Sequence, residues 1–188
     1  MTKHTHGPAK SVQLRRRKLT MRNLEEANMK ALTICQPYAE LVLRGEKPVE
    51  NRTWEMTYRG PLLIHAGKSR AWLTPPSEQG RDKHCCPGSL CARASHGPCD
   101  GVYGIPLAHM SFGALVGIAE VKDCVLASEI VHRYPRLAGN QHVEGPWCIV
   151  LSNVRRFSSG IPYRGQQGLF HVDESVVRAA IQTSEAVR

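Results

Sequence analysis

The sequence predicts a mostly β protein with a few short helices (α+β), whose strands form a closed or partly closed barrel. Short stretches of strand-forming residues recur along the chain with turn residues between them, and few segments have helical features. The 188 residues, 41% of them hydrophobic, suffice for one domain with a core of its own. The elements below are given in chain order.

Residues 1–30 are predicted to be a basic, disordered tail. They hold eight Lys or Arg residues and two Glu, centred on the run Arg15–Lys18, in a chain of net charge +9. Such an arm either solubilises the protein or neutralises phosphates without reading sequence. A third possibility is an upstream extension that the fold does not need. The segment lacks the apolar middle part of a secretory signal, and no apolar run reaches membrane-spanning length, so we expect a cytoplasmic protein without membrane contact.

A strand followed by a helix opens the predicted domain. Ala31–Cys35 is rich in strand formers, and Pro37 suits a first helical position because its missing N–H is not needed there. The helix is expected to run over Pro37–Arg44 and to end at Gly45, which tolerates the left-handed conformation of a helix cap. We expect this helix to plug one opening of the barrel.

The next strand carries charged residues on one face. Val49–Trp54 alternates, so that Glu50, Arg52 and Trp54 share a side. A turn is predicted at Tyr58–Pro61, and an insertion over residues 74–108. The later strands are predicted at Leu62–Ala66 (buried), Phe112–Asp123, Trp147–Leu151 and Leu169–Val172. The later helices are predicted to open in Lys68–Leu73, to run over Ser128–Tyr134 with Ser128 as cap, and to close the chain from Asp173 or Ser175 to about Gln182.

These segments resemble a known family, the ASCH domain (activating signal cointegrator 1 homology). The matching strings are Gln36-Pro37-Tyr38, Gly45-x-Lys47-x-x-Glu50-x-Arg52, Trp54, Tyr58-Arg59-Gly60, Leu63-Ile64-His65-Ala66, Gly113–Asp123, Gly145-Pro146-Trp147-Cys148 and Ile161-Pro162-Tyr163-Arg164-Gly165 with Gly168-Leu169-Phe170. The resemblance covers residues 31–173 and leaves residues 174–188 as a C-terminal helix and tail. It implies a PUA-like β-barrel, a cleft lined by the GxKxxExR residues, and nucleic-acid binding.

The charged residues of this motif suit a nucleotide. Lys47 can hold a phosphate or carboxylate, Glu50 can accept hydrogen bonds from an exocyclic amine such as that of cytosine, and Arg52 can clamp a phosphate. Tyr38 and Trp54 offer flat faces for an unstacked base. The alternatives are a solvated ion pair for the charged residues and plain packing for the aromatic ones.

Arg59 and His65 are two further residues with polar side chains within the matching strings. Arg59, in Tyr58-Arg59-Gly60, completes the predicted nucleic-acid-binding set. His65 lies within an apolar strand, where a core histidine with satisfied hydrogen bonds is the simpler interpretation.

An enzymatic role depends on Lys47. One branch of the family removes acetyl from N4-acetylcytidine with a lysine, a threonine and a glutamate, and some members have been described as nucleases. Lys47 matches the lysine, but Glu50 stands where that branch has its threonine, and a carboxylate cannot take the part of a hydroxyl. We therefore do not expect this amidohydrolase activity. Any catalysis would rest on Lys47 and Glu50.

The insertion contains a cluster of soft metal ligands. Within His84-Cys85-Cys86-x4-Cys91-x4-His96-x2-Cys99, the residues Cys86, Cys91, His96 and Cys99 form a candidate structural zinc site, although adjacent cysteines do not match a zinc knuckle. The alternative is a loop with reduced thiols. No other cofactor is expected.

Three functions therefore stand at the level of the sequence. The first is binding of nucleic acid, with single-stranded RNA favoured because its bases can enter a pocket. The second is hydrolysis of a modified nucleoside or of RNA. The third is an adaptor or coregulator that binds protein.

Overall fold

The computed structural model describes residues 29–73, 101–102 and 104–185. Strands dominate, as predicted, and six of them form one sheet in the order β2-β7-β6-β3-β1-β8, while β4 and β5 pair separately. The strands are β1 (Lys30–Ile34), β2 (Val49–Arg52), β3 (Gly60–Ala66), β4 (Gly101–Val102), β5 (Ile105–Pro106), β6 (Ala114–Leu126), β7 (Trp147–Pro162) and β8 (Leu169–His171), and the α-helices are α1 (Tyr38–Leu43), α2 (Ile130–Arg133) and α3 (Glu174–Glu185).

The main sheet curls into a half-barrel. Strands β1 and β3 run parallel, and the other neighbours are antiparallel. Register shifts interrupt the long β6–β7 ladder at several points. Such irregularities increase the local twist, which allows long strands to bend around a core. The predicted fold class is thus confirmed.

Helix α1 packs into the concave side of the sheet, as expected. Its residues Ala39 and Val42 are fully buried in the core beneath β3, β6 and β7. The helix ends at Leu43, and Gly45, two residues later, has a φ of 75°, the left-handed conformation predicted for it. On the sheet below, Gly117 has no side chain, and a Cβ there would overlap with Leu43. The glycine therefore lets the helix approach the sheet closely.

Several predicted elements differ in extent from the observed ones. Strand β7 continues to Pro162, far beyond the predicted end at Leu151. The prediction missed the second half because that half is polar and lacks an apolar alternation. The predicted helix in Lys68–Leu73 is only a 3₁₀ turn at Ala71–Leu73. Ser128 does not cap α2, since that helix begins at Ile130 and has no side-chain cap.

Some predictions lie outside the described residues. These are residues 1–28 of the predicted tail and the zinc ligands Cys86, Cys91, His96 and Cys99, so both stay predictions. The last two residues of the predicted tail belong to the fold instead, since Met29 is buried and Lys30 begins β1. Within the described parts of the chain, no helix is long and apolar enough to cross a membrane.

Candidate functional site

The GxKxxExR motif places three charged side chains in direct contact. Lys47 Nζ lies 2.9 Å from Glu50 Oε2, and Arg52 Nη2 lies 3.0 Å from Glu50 Oε1. Each cation therefore takes one oxygen of the same carboxylate. We call Lys47, Glu50 and Arg52 the charged cluster.

The backbone after α1 directs Lys47 into this cluster. The N–H groups of Glu46 and Lys47 both donate to the Leu41 carbonyl, which folds the chain back against the end of the helix. Lys47 Nζ then donates to the Val49 carbonyl at 2.5 Å as well as to Glu50. Two hydrogen bonds thus fix the ammonium at the start of β2.

Arg52 connects two distant parts of the sheet. Its Nη2 donates to the Thr33 carbonyl of β1 at 2.7 Å, although β7, β6 and β3 separate β2 from β1 in the strand order. This contact is possible only because the sheet curls. Arg52 therefore spans the mouth of the half-barrel with its side chain.

The charged cluster is poorly solvated and carries excess positive charge. The side chains of Lys47 and Glu50 are only 5% and 10% exposed, and that of Arg52 is 22% exposed. Two cations share one carboxylate, which leaves one positive charge without a counter-ion within the cluster. Arg52 Nε is buried and has no hydrogen-bond partner among the described residues. An unpaired buried donor is costly, so these features suit an anionic or carbonyl-bearing ligand.

Cys35 lies beside the charged cluster at the end of β1. Burial raises the pKa of its thiol, the Glu50 carboxylate adds to this increase, and the Arg52 guanidinium opposes it. The raised pKa keeps the thiol neutral. Cys35 therefore contributes a small, uncharged wall to the site.

Of the two aromatic candidates, Tyr38 lies against the charged cluster, and both are partly buried by packing. Tyr38 places its ring centroid 5.8 Å from Lys47 Nζ. Trp54 is half-buried against the main core, as the packing alternative proposed. The structure thus brings Tyr38 directly to the charged cluster and gives Trp54 a clear structural role.

Arg59 belongs to a second group of charges. Its guanidinium donates to the carbonyls of Met56 and Tyr58 and pairs with Asp123 at 3.0 Å. Arg133 pairs with the other oxygen of Asp123 at 2.8 Å, and the Tyr134 hydroxyl donates to the same oxygen. We call Asp123, Arg59, Arg133 and Tyr134 the Asp123 cluster.

His65 lies in the core, as interpreted, but is not fully satisfied. Its Nε2 contacts the Tyr163 carbonyl at 3.1 Å, whereas Nδ1 is buried and none of the described residues forms a hydrogen bond with it. Gly165 lies directly against the ring, where any side chain would overlap with it. Burial lowers the pKa of His65, so the imidazole is held neutral.

Sequence reasoning missed two features of the site. The Thr33 carbonyl is a backbone group, which no residue pattern reveals. Trp72, an exposed ring beside Tyr38, was overlooked because it follows a short segment without clear periodicity. The one indication in the sequence that Trp72 lies near the site is its position shortly after the matched string Leu63–Ala66.

Comparison with known proteins identifies the family of this chain. The model of the ASCH domain matches residues 32–159. The chain belongs to the ASCH domain family. It is also 23% identical over 149 residues to activating signal cointegrator 1 from Homo sapiens and from Mus musculus. The match covers 79% of this chain and 23% of each relative, so the chain spans about a quarter of their length.

Solved structures of ASCH proteins are similar in outline. The ASCH protein of Zymomonas mobilis matches with a TM-score of 0.46 and 13% identity, over 82% of this chain and 95% of that one. A single-residue variant of it gives a TM-score of 0.47 and 14% identity, over 84% of this chain and 100% of that one.

Proposed function

We propose that this ASCH domain binds single-stranded nucleic acid, with RNA preferred, at the charged cluster. The observation that carries the proposal is the excess positive charge on a buried ion cluster in which Arg52 Nε finds no partner in the described ranges of the chain. A phosphate oxygen or base carbonyl supplies both the missing charge and the missing acceptor. A simple structural ion pair gives no reason for a second buried cation.

In this proposal each residue of the cluster has its own task. Arg52 uses Nη2 to hold Glu50 and the Thr33 carbonyl, which leaves Nε to donate to the ligand. Glu50 orients both cations, and Lys47 supplies positive potential from beneath. Single strands are favoured over duplexes because only an unstacked nucleotide can reach a recessed cluster.

Hydrolysis is less well supported by the same residues. The amine of Lys47 is committed to the Val49 carbonyl and to Glu50, so it does not point toward an open substrate site. An adaptor function would use surfaces other than this recessed cluster. The results that would favour either alternative are given after the binding experiment below.

The test is fluorescence anisotropy of the full chain with labelled single-stranded and duplex RNA and DNA at two salt concentrations. Arg52→Gln is expected to weaken single-strand binding by at least tenfold, because it removes a charged hydrogen bond. Arg178→Gln is the control, since it makes the same charge change on α3, where Arg178 forms an exposed pair with Glu174. Far-ultraviolet circular dichroism checks that both variants are folded.

Three results would contradict the proposal. The first is equal binding by wild type and Arg52→Gln, and the second is tighter binding to duplexes than to single strands. The third is the absence of nucleic-acid binding together with capture of a protein that survives nuclease treatment, which would favour the adaptor. Release of cytidine or RNA fragments that depends on Lys47 would instead favour the hydrolase.

A basic tail would add a separate, non-specific contribution. Replacement of Arg15, Arg16, Arg17 and Lys18 by Gln in the full chain is expected to flatten the salt dependence of binding without changing the preference for single strands. Each lost phosphate contact reduces the slope of log K against log salt by about 0.7 for a single strand. An unchanged slope would show that the tail takes no part in binding.

A further inference from the structure

An exposed tryptophan lies close to the charged cluster. The side chain of Trp72 is 54% exposed, more than that of any other large hydrophobic residue in the described part of the chain. Tryptophan is usually largely buried, and an exposed indole leaves much apolar surface in water. A ring left in this position is a candidate contact for a ligand or partner.

The ring is continuous with the charged cluster through Tyr38. The centroids of Trp72 and Tyr38 are 6.2 Å apart with an interplanar angle of 65°, and the Tyr38 centroid lies 5.8 Å from Lys47 Nζ. In such an edge arrangement Tyr38 covers at most one face of the indole. Because more than half of the Trp72 side chain is exposed, part of the indole remains open to a flat ligand.

The support beneath Trp72 is firmly packed. Its neighbour Leu73 points inward and is buried with Leu41, Ile105 and Met110, and this small core also holds Tyr38. The 3₁₀ turn at Ala71–Leu73 therefore turns Leu73 into the protein and Trp72 outward. A platform of this kind binds a planar ligand with little loss of conformational freedom.

Positive charge flanks the platform. The guanidinium of Arg70 stacks 4.5 Å from the Phe112 ring centroid, and Phe112 packs on the same small core. Lys68 and Arg70 are both exposed. Aromatic rings with cations beside them match the repeating pattern of bases and phosphates in a single strand.

We propose that Trp72 is a stacking platform for an unpaired base, adjacent to the nucleotide that contacts the charged cluster. The proposal rests on the proposed function and adds a second contact point to it. Stacking on an indole is tolerant of base identity because every base has a flat face. Trp72 would therefore increase affinity for single strands without selecting a sequence.

The test compares labelled dodecauridine with a strand of the same length whose sugars carry no bases. Trp72→Ala is expected to weaken dodecauridine binding about tenfold, and Trp72→Phe to keep most of it, because phenylalanine still offers a flat face. The base-free strand should bind wild type and Trp72→Ala equally. Val131→Ala, at another exposed apolar side chain, is the control and should change nothing.

The outcomes separate this proposal from the proposed function. If Arg52→Gln weakens dodecauridine binding and Trp72→Ala does not, the stacking proposal is wrong while the charged cluster keeps its role. If Trp72→Ala weakens both strands equally, Trp72 acts through the fold, which also overturns stacking. If neither strand binds to wild type, both proposals fail together.

Discussion

The charged cluster and the Asp123 cluster share the same pattern of charges, but their cations lie in different environments. In each, one carboxylate is shared by two cations. The cations Lys47 and Arg52 are 5% and 22% exposed, whereas Arg59 and Arg133 are 39% and 53% exposed. The two carboxylates, Glu50 and Asp123, are similarly buried at 10% and 13%. The two clusters lie on opposite faces of β2 and β7. Glu50 points to the face of the main core, and Tyr134 packs with the smaller core on the other face.

The difference shows how burial decides what an ion cluster can do. Exposed pairs are screened by water and contribute about 0–1 kcal/mol to stability. Buried charges lose hydration, which only good partners offset. Both oxygens of the Asp123 carboxylate accept hydrogen bonds, and the Cys124 N–H adds a further one to those from the side chains. Arg52 Nε, by contrast, has no partner among the residues that the structure describes. The proposed ligand contact depends on this buried donor.

The largest effect is expected from Glu50→Ala. Removal of this carboxylate leaves Lys47 and Arg52 buried beside each other without their shared counter-ion. We expect the free energy of unfolding to fall by about 3–5 kcal/mol, measured by urea titration. A loss below 1 kcal/mol would mean that the charged cluster is better hydrated than its burial indicates.

A smaller loss is expected from Asp123→Ala. The variant removes an acceptor from Arg59, Arg133 and Tyr134, but the two arginines can return to water. The expected decrease in the free energy of unfolding is about 1.5–3 kcal/mol, in the range of hydrogen bonds to charged groups. The same urea titration serves here, and a loss greater than that of Glu50→Ala would reverse the proposed comparison.

The stability of the fold should depend on pH at both ends of the range, through His142 near Lys47 and through Tyr134 of the Asp123 cluster. Burial lowers the pKa of His142 below its ordinary value of 6.5, and the Lys47 ammonium adds to this decrease. The unfolded chain therefore binds more protons, so this part of the stability is present above pH 6.5 and is lost as the pH falls. For Tyr134, burial and then the bond to Asp123 raise the pKa above 10.0, so its contribution is lost as the pH rises beyond 10.

Thermal unfolding between pH 4 and pH 11 measures both effects. His142→Gln should flatten the acid side of the melting-temperature profile, and Tyr134→Phe should flatten the alkaline side. Each variant is the control for the other. Acid loss that persists unchanged in His142→Gln would assign it to other groups, such as His65, whose pKa is also lowered by burial.

The smallest effect is expected from Arg133→Ala. Its side chain is more than half exposed, and Arg59 and Tyr134 still satisfy Asp123. The free energy of unfolding should change by about 0–1 kcal/mol. A loss above 2 kcal/mol in the urea titration would show that exposure alone does not separate the two clusters.

Local patterns in the sequence predicted the parts of the fold that depend on near neighbours. The helix before Gly45 and the shared face of Glu50 and Arg52 follow from capping and from strand alternation, and the structure has both. The second half of β7 could not be predicted, because its residues contact β6 across distant parts of the chain and carry no apolar period.

The candidate site was predictable in composition but not in geometry. The motif identified Lys47, Glu50 and Arg52 as one group. It could not show that Arg52 reaches the Thr33 carbonyl, since that contact depends on how far the sheet curls. It also could not separate Arg59 from the charged cluster, because the Asp123 partner lies in a strand far along the chain.

The most direct test of the central claim follows the Arg52 Nε–H group itself. In ¹⁵N–¹H spectra of the full chain, this arginine signal is assigned by its loss in Arg52→Lys and then followed during titration with dodecauridine. We predict that the signal shifts and saturates with the binding curve, while that of Arg59 stays in place. An Arg52 signal that does not move when the protein is saturated with RNA would contradict the account.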